Sequence, residues 1–390
     1  MALLSDVSVI DTDTHLTEPH DLWTSRAPRG FEDRVPHIVE VNGQESWAID
    51  DQVLGRAMAS AVVDRDGARC RGTAFMSWTI DDVHPGAYDL TTRLAVMDEV
   101  GIYAQVVYPN VAGFGGQKFA EVKDPELKLM CVTLYNDYMA DLQDASGGRL
   151  FPMALLPWWD IEASIAEAER AAGMGMRGVN MTSDPQASCS LPDLGDRVWD
   201  PLWETCSGLA MPVHFHIGAS STTLQWFGTS PWPSLGDDQK LGIGSAMMYI
   251  TNARVLANII YSGMLERHPD LKVVSVESGI GWIPFVLEAL DHQADETAAG
   301  SMDYLSLRPS EYFKRQMYAC YWFEKIDVAH TFEVLGEDHV LFETDFPHPT
   351  CLYPDSLTYA AKGLDGVAPE VQRKVLQDNA AALYRIPLPA

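Results

Sequence analysis

Four short apolar segments of this 390-residue chain end in residues of the types that bind divalent metals. These residues are Asp13 and His15 in VIDTDTH, His214 and His216 in MPVHFHIG, Glu277 in VVSVESG, and Asp345 and His348 in VLFETDFPH. Neutral imidazoles and carboxylates are ligands that zinc, manganese and iron accept. Because residues two apart share a face of an extended backbone, Asp13 and His15 can chelate one ion. The spacing therefore predicts a metal site.

The elements that must position these residues follow from hydrophobic patterning. Strands are predicted at 8–11, 104–108, 150–156, 175–181, 212–216, 271–276, 316–323 and 340–343. Helices are predicted at 90–99, 124–144, 161–172, 199–209, 243–262, 283–294, 328–335 and 370–384. Strands that alternate with helices indicate a parallel sheet, and eight of them predict a closed (β/α)8 TIM barrel of the α/β class. The carboxyl ends of the strands would then face one cavity, where distant residues meet.

Two irregular stretches interrupt this alternation, at 28–86 and 219–236. The chain is therefore predicted to form one barrel over 1–390 with long loop insertions. The first insertion, 28–86, is predicted to form a cap over the mouth of the barrel, with a small hairpin near 45–54. A loop of this length is usually functional or disordered. Trp78 and Trp226 are predicted to contact substrate, or a second subunit of a homo- or hetero-oligomer with a related chain.

Charge and composition narrow the function classes. The net charge of −28 argues against nucleic acid and anionic membranes as partners, because both repel such a field. No stretch approaches the ~18 apolar residues that span a bilayer, and the start MALLSDVSVID has no export signal. The six scattered cysteines indicate reduced thiols. We predict a cytoplasmic protein that acts on a small-molecule substrate.

Each candidate residue could also have a purely structural role, which must be weighed against its role in a site. A carboxylate at the end of a buried strand is costly without a cation or hydrogen bonds, which favours Asp345 as a ligand over a helix cap. His216 lies further along its strand than His214, so His216 is the expected ligand, and His214 is either a second-metal residue or a core histidine. Glu18 is an outer ligand or a helix cap. Arg177 either holds a substrate carboxylate in a bidentate pair or forms a buried ion pair.

The blocks DTDTHLTEPHDLW, HFHIG, ERHPDLKVVSVESGIGWIPFVLEALD and LFETDFPH together resemble the amidohydrolase-2 branch of the amidohydrolase superfamily. That branch contains metal-dependent hydrolases and aromatic-acid decarboxylases. The resemblance spans nearly the whole chain and implies a metal site at Asp13, His15, His216 and Asp345. The decarboxylases of the branch place a catalytic histidine at the end of strand six, where this chain has Glu277. This departure ranks decarboxylation below hydrolysis.

Three functions remain open at this point. The first is a hydrolase with one zinc ion, in which Asp345 orients or deprotonates water and Glu277 or His348 protonates the leaving group. The second is an oxygenase with two irons, or iron and manganese, which would N-hydroxylate a small amine; His214, His348 and Glu18 are spare ligands for the second ion, and Glu277 would bridge. The third is a non-catalytic barrel that stabilises an active partner.

Overall fold

Eight parallel strands form the barrel in the computed structural model of this protein, which describes residues 6–57, 60–220, 222–223 and 232–389. The barrel strands are β1 (Ile10–His15), β5 (Ala104–Tyr108), the interrupted pair β6 (Leu150–Pro152) and β7 (Ala154–Leu155), β8 (Val179–Asn180), β9 (Val213–His216), β10 (Val273–Val276), β11 (Met317–Tyr321) and β12 (Val340–Phe342). Neighbouring strands pair in the order β1-β5-β6 and β7-β8-β9-β10-β11-β12. This architecture confirms the predicted TIM barrel.

The barrel closes between its first and last strands. The Asp345 amide donates a hydrogen bond of 2.8 Å to the Asp13 carbonyl, and the His15 amide donates one of 2.8 Å to the Phe346 carbonyl. Thr14 forms a parallel bridge with Phe346. These bonds place the DTDTH and ETDFPH segments side by side, although more than 300 positions separate them in the chain.

Helices surround the barrel and follow most of its strands. They are α1 (Leu90–Val100), α2 (Gln117–Ala120), α3 (Pro125–Ala145), α4 (Ile161–Gly173), α5 (Pro185–Cys189), α6 (Asp200–Gly208), α7 (Asp237–Tyr249), α8 (Ala253–Tyr261), α9 (Met264–Arg267), α10 (Ile283–Glu296), α11 (Pro309–Gln316), α12 (Val328–Leu335), α13 (Ser356–Gly363), α14 (Pro369–Arg373) and α15 (Asn379–Tyr384). Aspartates cap several of them: Asp124, for example, accepts hydrogen bonds from the amides of Glu126 and Leu127 at the start of α3. None of the described helices is long and apolar enough to cross a membrane.

The single long helix predicted at 243–262 is wrong. The chain instead forms α7, a short 3-10 turn at Ile250–Asn252, and then α8. The buried Asn252 side chain donates hydrogen bonds to the Phe215 carbonyl on β9, at 2.8 Å, and to the Ser275 hydroxyl on β10, at 3.0 Å. These tertiary bonds to two strands tie the chain to the barrel wall at the point where the helix is interrupted.

Residues 28–86 include a three-stranded antiparallel sheet, made of β2 (His37–Val41), β3 (Gln44–Ile49) and β4 (Gln52–Arg56). The turn between β3 and β4 places Asp50 at a φ of 45°. Trp47 on β3 is buried against Trp23, with their ring centroids 5.5 Å apart. The sheet is therefore anchored to the segment that follows β1, close to the carboxyl end of the barrel.

Hydrophobic packing holds the fold together, in two main layers and a smaller cluster around Val63, Phe75 and Phe346. The larger lies between the strands and the surrounding helices and includes Trp23, Trp158, Trp199 and Trp203, all fully buried. A second, smaller layer fills the barrel interior; it contains Ile10, Val106, Phe151, Val274 and Leu341, with Leu383 and Tyr384 of α15. Side chains thus fill the interior below the strand ends, as is usual for TIM barrels, and leave the carboxyl ends for a site.

Candidate metal centre

Asp13 and His15 stand at the end of β1, and both side chains are fully buried. The register of β1 against β5 shifts between Asp11 and Thr14, so the strand carries an irregularity just before the site. Such bulges occur beside active sites, because they re-aim side chains. The structure extends β1 through His15, and these two residues therefore belong to the strand itself, whereas the sequence pattern ended the strand at Asp11.

Four donor atoms from three strands converge at the top of the barrel. The His15 and His216 Nε2 atoms are 3.1 Å apart, and the Asp13 Oδ1 atom is 3.6 Å from each of them. The Glu277 Oε2 atom lies 3.3 Å from the His216 Nε2 atom. Asp345 approaches from β12, with its Oδ1 atom 3.6 Å from the His15 Nε2 atom.

These separations fit ligands of one cation. Two donors that each stand about 2.1 Å from a metal are ~3.0 Å apart at a right angle and ~3.4 Å apart at a tetrahedral angle. Asp13, His15, His216 and Glu277 form one group whose donor atoms all lie within 4.8 Å of one another, and His15, Glu277, Asp345 and His348 form a second. Both groups contain His15 and Glu277, so the two groups overlap at one place in the barrel.

Unpartnered buried oxygens also point to a cation. Both carboxylate oxygens of Asp13, the Glu277 Oε2 atom and the Asp345 Oδ1 atom are buried and have no hydrogen-bond donor in the described part of the chain. Buried polar groups without partners are rare in proteins, since each costs about 1–3 kcal/mol and more when charged. A divalent cation among these oxygens would remove that cost, and the residues present fit such a group.

Both histidine ligands are held in the neutral form. Burial lowers the pKa of His216 to about 4, and burial together with the charges of His348 and His216 lowers the pKa of His15 well below its ordinary value. The His216 Nδ1 atom lies 2.7 Å from the Ile217 carbonyl, so Nδ1 carries the proton and Nε2 keeps its lone pair for the site. A neutral imidazole is the form that binds metals.

The carboxyl groups of the site retain protons more strongly than ordinary carboxyls. Burial, followed by the charge of Asp345, raises the pKa of Asp13 well above its usual range. The same two causes raise the pKa of Glu277. Burial and the charge of Asp13 do so for Glu343. Several carboxylates in one buried space repel each other, and only a cation or protons can offset this repulsion.

Glu277 and Asp345 each occupy a left-handed backbone conformation just after their strands, with φ of 55° and 57°. This conformation is uncommon for residues other than glycine and is strained. The Thr350 hydroxyl joins the two side chains: it lies 2.7 Å from the Asp345 Oδ2 atom, to which it donates, and 3.4 Å from the Glu277 Oε1 atom. The strained turns thus bring two carboxylates to one hydroxyl.

His348 stacks on His15, with ring centroids 3.6 Å apart. The Asn110 amide nitrogen donates to the Leu16 carbonyl, which leaves the Asn110 Oδ1 atom as the acceptor for the His348 Nε2–H at 2.7 Å. The His348 Nδ1 atom then lies 3.1 Å from the Asp345 Oδ1 atom. His348 therefore lies between Asn110 and Asp345, across the face of the His15 ring.

A cavity of about 220 Å³ opens beside the cluster. Glu277 and His348 line it, whereas Asp13, His15, His216 and Asp345 do not. Its other walls come from the three-stranded sheet, the loop after β5, α7 and the turn after β12; they include Trp47, Leu54, Val111, Phe114, Met248 and Tyr249. The lining is therefore mostly apolar and aromatic, as is common for small-molecule sites.

Several predicted site residues lie elsewhere. His214 faces the barrel interior one layer below the cluster, where its Nδ1 atom lies 2.9 Å from the Val179 carbonyl and its Nε2 atom 2.9 Å from the Tyr384 hydroxyl. Glu18 accepts hydrogen bonds from the amides of Asn110 and Val111 and supports the loop after β5. Neither residue belongs to the two ligand groups.

The prediction that Arg177 contacts the substrate is wrong. Arg177 precedes β8, at the amino end of the barrel, where it donates to the carbonyls of Tyr384 and Arg385 and lies over the Phe151 ring. The cavity is at the carboxyl ends of the strands, so Arg177 is at the wrong end. Trp78 packs against the larger hydrophobic layer and does not line the cavity. Trp226 lies outside the described residues.

Sequence reasoning missed Glu343 and Asp11, both fully buried. The Glu343 Oε2 atom accepts a hydrogen bond of 3.0 Å from the Glu277 amide. Burial raises the pKa of Asp11 to about 7, against the opposing hydrogen bonds from Thr344 and Gln105. Both acids were visible as carboxylates inside apolar strand segments, in VIDTD and LFETD, which is the signal that identified Asp13 and Asp345.

Comparison with known proteins agrees with the fold and with the family resemblance. The geometry defines a TIM-barrel enzyme with a buried site suited to a divalent metal. Residues 10–386 match the amidohydrolase family model, and the chain belongs to this family. This match confirms the resemblance to the amidohydrolase-2 branch drawn from the four sequence blocks.

Solved structures share the fold at low identity. An amidohydrolase from Mycobacterium avium subsp. paratuberculosis K-10 is 24% identical over 99% of both chains, with a TM-score of 0.76. The 5-carboxyvanillate decarboxylase of Sphingomonas paucimobilis is 24% identical, with 77% of this chain and 84% of that chain covered and a TM-score of 0.62. A dihydroxybenzoic acid decarboxylase from Polaromonas sp. JS666, with bound manganese and 2-nitroresorcinol, is 16% identical over 97% of both chains, with a TM-score of 0.60.

Proposed function

We propose that this protein is a metal-dependent hydrolase of a small organic substrate, with Asp13, His15, His216 and Asp345 as ligands of one divalent cation. The main support is the convergence of unpartnered, buried carboxylate oxygens with two neutral imidazole nitrogens beside a cavity. When bound, the cation supplies Lewis acidity, which polarises a substrate oxygen and favours the ionisation of water. We propose that this cation is zinc. Manganese is the alternative, because a decarboxylase with the same fold holds manganese.

Glu277 and His348 take the proton-transfer roles in this proposal, because they are the cluster residues that line the cavity. The raised pKa of Glu277 lets its carboxyl carry a proton at a pH where an ordinary glutamate is ionised. Glu277 therefore protonates the leaving group. Asp345 orients the attacking water, and His348, whose Nδ1 atom lies 3.1 Å from the Asp345 Oδ1 atom, exchanges protons with that water.

Elemental analysis and substitution test this proposal together. We expect about one cation per chain in the purified protein, and none after His15→Ala or Asp345→Asn. His330→Ala is the matched control, since His330 is an exposed histidine remote from the site. Turnover of small amides, esters and lactones, followed by mass spectrometry, should disappear on chelation and return when the metal is restored. Full turnover by metal-free protein would contradict the proposal.

Glu277→Gln separates two roles for this residue. If Glu277 transfers protons, the variant keeps its cation and loses one limb of the pH–rate profile. If Glu277 is a ligand, as its 3.3 Å distance from the His216 Nε2 atom also permits, the variant loses the cation. The metal content of the variant therefore assigns the role even before a substrate is known.

Decarboxylation is the second candidate function. Several structurally similar proteins are decarboxylases of aromatic acids, among them the carboxyvanillate and dihydroxybenzoic acid enzymes. The carboxyl group of Glu277 stands where the family's decarboxylases use an imidazole, and this difference favours hydrolysis. Release of carbon dioxide from a panel of hydroxybenzoic acids, without hydrolysis of amides or esters, would reverse the order.

The dinuclear oxygenase is the third candidate. It needs two cations, and the two ligand groups would have to share His15 and Glu277 between them. A content of about two irons, or of iron with manganese, and consumption of oxygen with a small amine would favour it over hydrolysis.

A further inference from the structure

Two cationic side chains line the cavity beside the cluster. Arg56 on β4 and Lys118 on α2 both line it, and among the described residues Glu277 is the acidic one that does so. Neither cation forms an ion pair with an acid in the described part of the chain. The protein as a whole carries 55 acidic and 27 basic residues, so a cavity wall with two unpaired cations is unusual for it.

Lys118 is the more constrained of the two. Its backbone amide donates to the Ala112 carbonyl at 3.0 Å, and its neighbour Phe119 is fully buried, so the short helix is fixed against the barrel. The Lys118 Nζ atom lies 3.9 Å from the position that a Cβ on Gly55 would take. The ammonium group therefore lies against β4, between the barrel and the three-stranded sheet.

The surroundings of Lys118 disfavour its charge. Burial lowers the pKa of this amine, and the charges of Glu18 and Glu121 oppose the change without forming an ion pair. Glu18 already accepts two backbone hydrogen bonds through its Oε1 atom. No hydrogen-bond acceptor contacts the ammonium group within the described ranges. A partly buried ammonium in this situation is costly, and an anion in the cavity would stabilise it.

We propose that Lys118 determines specificity by holding an anionic group of the substrate, a carboxylate, in the part of the cavity where α2 meets β4. Arg56, whose guanidinium donates to the Met76 carbonyl at the surface, flanks this position. The inference rests on the proposed function, since it takes the cavity as the substrate site. In addition to that function, the inference states that the enzyme recognises its substrate through this carboxylate, which is not part of the bond that is broken.

The position of the acids that act on Lys118 supports this separation. Those acids are Glu18 and Glu121, neither of which belongs to the ligand cluster. Lys118 and Glu277 nevertheless line one cavity. A substrate with an apolar body can therefore contact Leu54, Val111 and Met248 while its two ends reach Lys118 and the cluster.

Isothermal titration calorimetry with matched acids and amides tests the proposal without a known substrate. The probes are benzoate with benzamide, phenylacetate with phenylacetamide, and cyclohexanecarboxylate with its amide. In the wild-type protein we expect at least one acid to bind about tenfold more tightly than its amide. Lys118→Met should abolish this preference and leave the affinity for the amide unchanged, while Lys118→Arg should keep the preference.

Lys123→Met is the matched control, because Lys123 is an exposed lysine near α2 that does not line the cavity. Thermal unfolding and metal content should be the same in all these variants, and Lys118→Gln replaces Lys118→Met if the latter is unfolded. If Lys118→Met still prefers the acids, then the metal cluster or another group binds the carboxylate, and the proposal is overturned. So would the absence of any preference in the wild-type protein.

His15→Ala separates this proposal from the proposed function. If Lys118 acts as proposed, the preference for the acid persists in this variant, even where the cation is lost. If the preference disappears with the cation, the carboxylate binds the metal and the role of Lys118 is refuted. Loss of metal and turnover without loss of the preference would leave the Lys118 site intact.

Discussion

Asp13→Asn is expected to have opposite effects on the stability of the metal-free and the metal-loaded protein. Asp13 is fully buried, neither carboxylate oxygen has a hydrogen-bond donor, and the Oδ1 atom stands 3.6 Å from the His15 and His216 Nε2 atoms. Asparagine keeps the shape and removes the charge. The metal-free protein loses a repulsive carboxylate, whereas the metal-loaded protein loses a ligand.

The magnitude follows from the geometry. Because the Asp13 and Asp345 Oδ1 atoms are each 3.6 Å from the same His15 nitrogen, they are at most about 7 Å apart, and two charges at that distance repel by ~2 kcal/mol at an effective dielectric constant of about 20. Proton uptake by Asp13 reduces this value, since burial raises its pKa. With an unfolding entropy of roughly 2.1 cal/mol/K per residue, ~2 kcal/mol corresponds to a rise in Tm of ~2–3 °C.

The metal-loaded protein gives the opposite result. A cation at 100 times its Kd stabilises the wild-type fold by ~2.7 kcal/mol, or ~3 °C in Tm by the same unfolding entropy. If the variant binds the cation ~100-fold more weakly, the same concentration contributes ~0.4 kcal/mol, which is less than 1 °C. Metal addition should therefore raise the Tm of the wild type and barely change that of Asp13→Asn.

Scanning calorimetry with chelator, and then with zinc or manganese, measures both effects, and elemental analysis gives the occupancy. Asp365→Asn is the control, because Asp365 is exposed and should behave as wild type in both conditions. If Asp13→Asn lowers the Tm of the chelated protein by several degrees and keeps its metal, Asp13 is a structural residue and the reasoning about the cluster is refuted.

Two further predictions concern residues that position the cluster. Thr350→Val should weaken the affinity for the cation ~10-fold, because the hydroxyl orients Asp345, and should lower the Tm of the chelated protein, because a buried carboxylate oxygen loses its donor. An unchanged affinity in a metal titration would contradict this prediction. Asn252→Ala should destabilise the protein by about 1–3 kcal/mol, since it removes the buried side-chain donor to the Phe215 carbonyl and one of two side-chain partners of the Ser275 hydroxyl, which keeps its contact with Ser278. Chemical unfolding measures this loss, and an unchanged midpoint would contradict the role given to the amide.

Local sequence patterns predicted many elements well. The predicted strand at 104–108 and helix at 328–335 have the bounds that the structure shows for β5 and α12. Their formation depends on hydrophobic periodicity and helix or strand propensity, which a short window contains. The helix predicted at 243–262 failed because the bonds from Asn252 to β9 and β10 are tertiary, and no local pattern records them.

The sequence likewise predicted some features of the candidate site and not others. Carboxylates and histidines at the ends of apolar segments were recognisable, because a buried charge at a strand end needs a partner. The sequence could not show that Arg177 is at the opposite end of the barrel, since one strand residue gives no direction without the register of the sheet. It also could not show that Lys118 faces the cavity, because that depends on how the loop after β5 meets the three-stranded sheet.

The sequence by itself thus determined the fold class, the eight strand segments and the residue types available for a metal. Only the tertiary structure decided which of those residues meet, since closure of β1 against β12 brings Asp13 within reach of Asp345. It also decided the protonation states: burial of several carboxylates in one space raises their pKa values, and burial of His15 and His216 keeps these imidazoles neutral. The physical reason is that desolvation and charge repulsion act over distances in space, whereas sequence patterns record only neighbours along the chain.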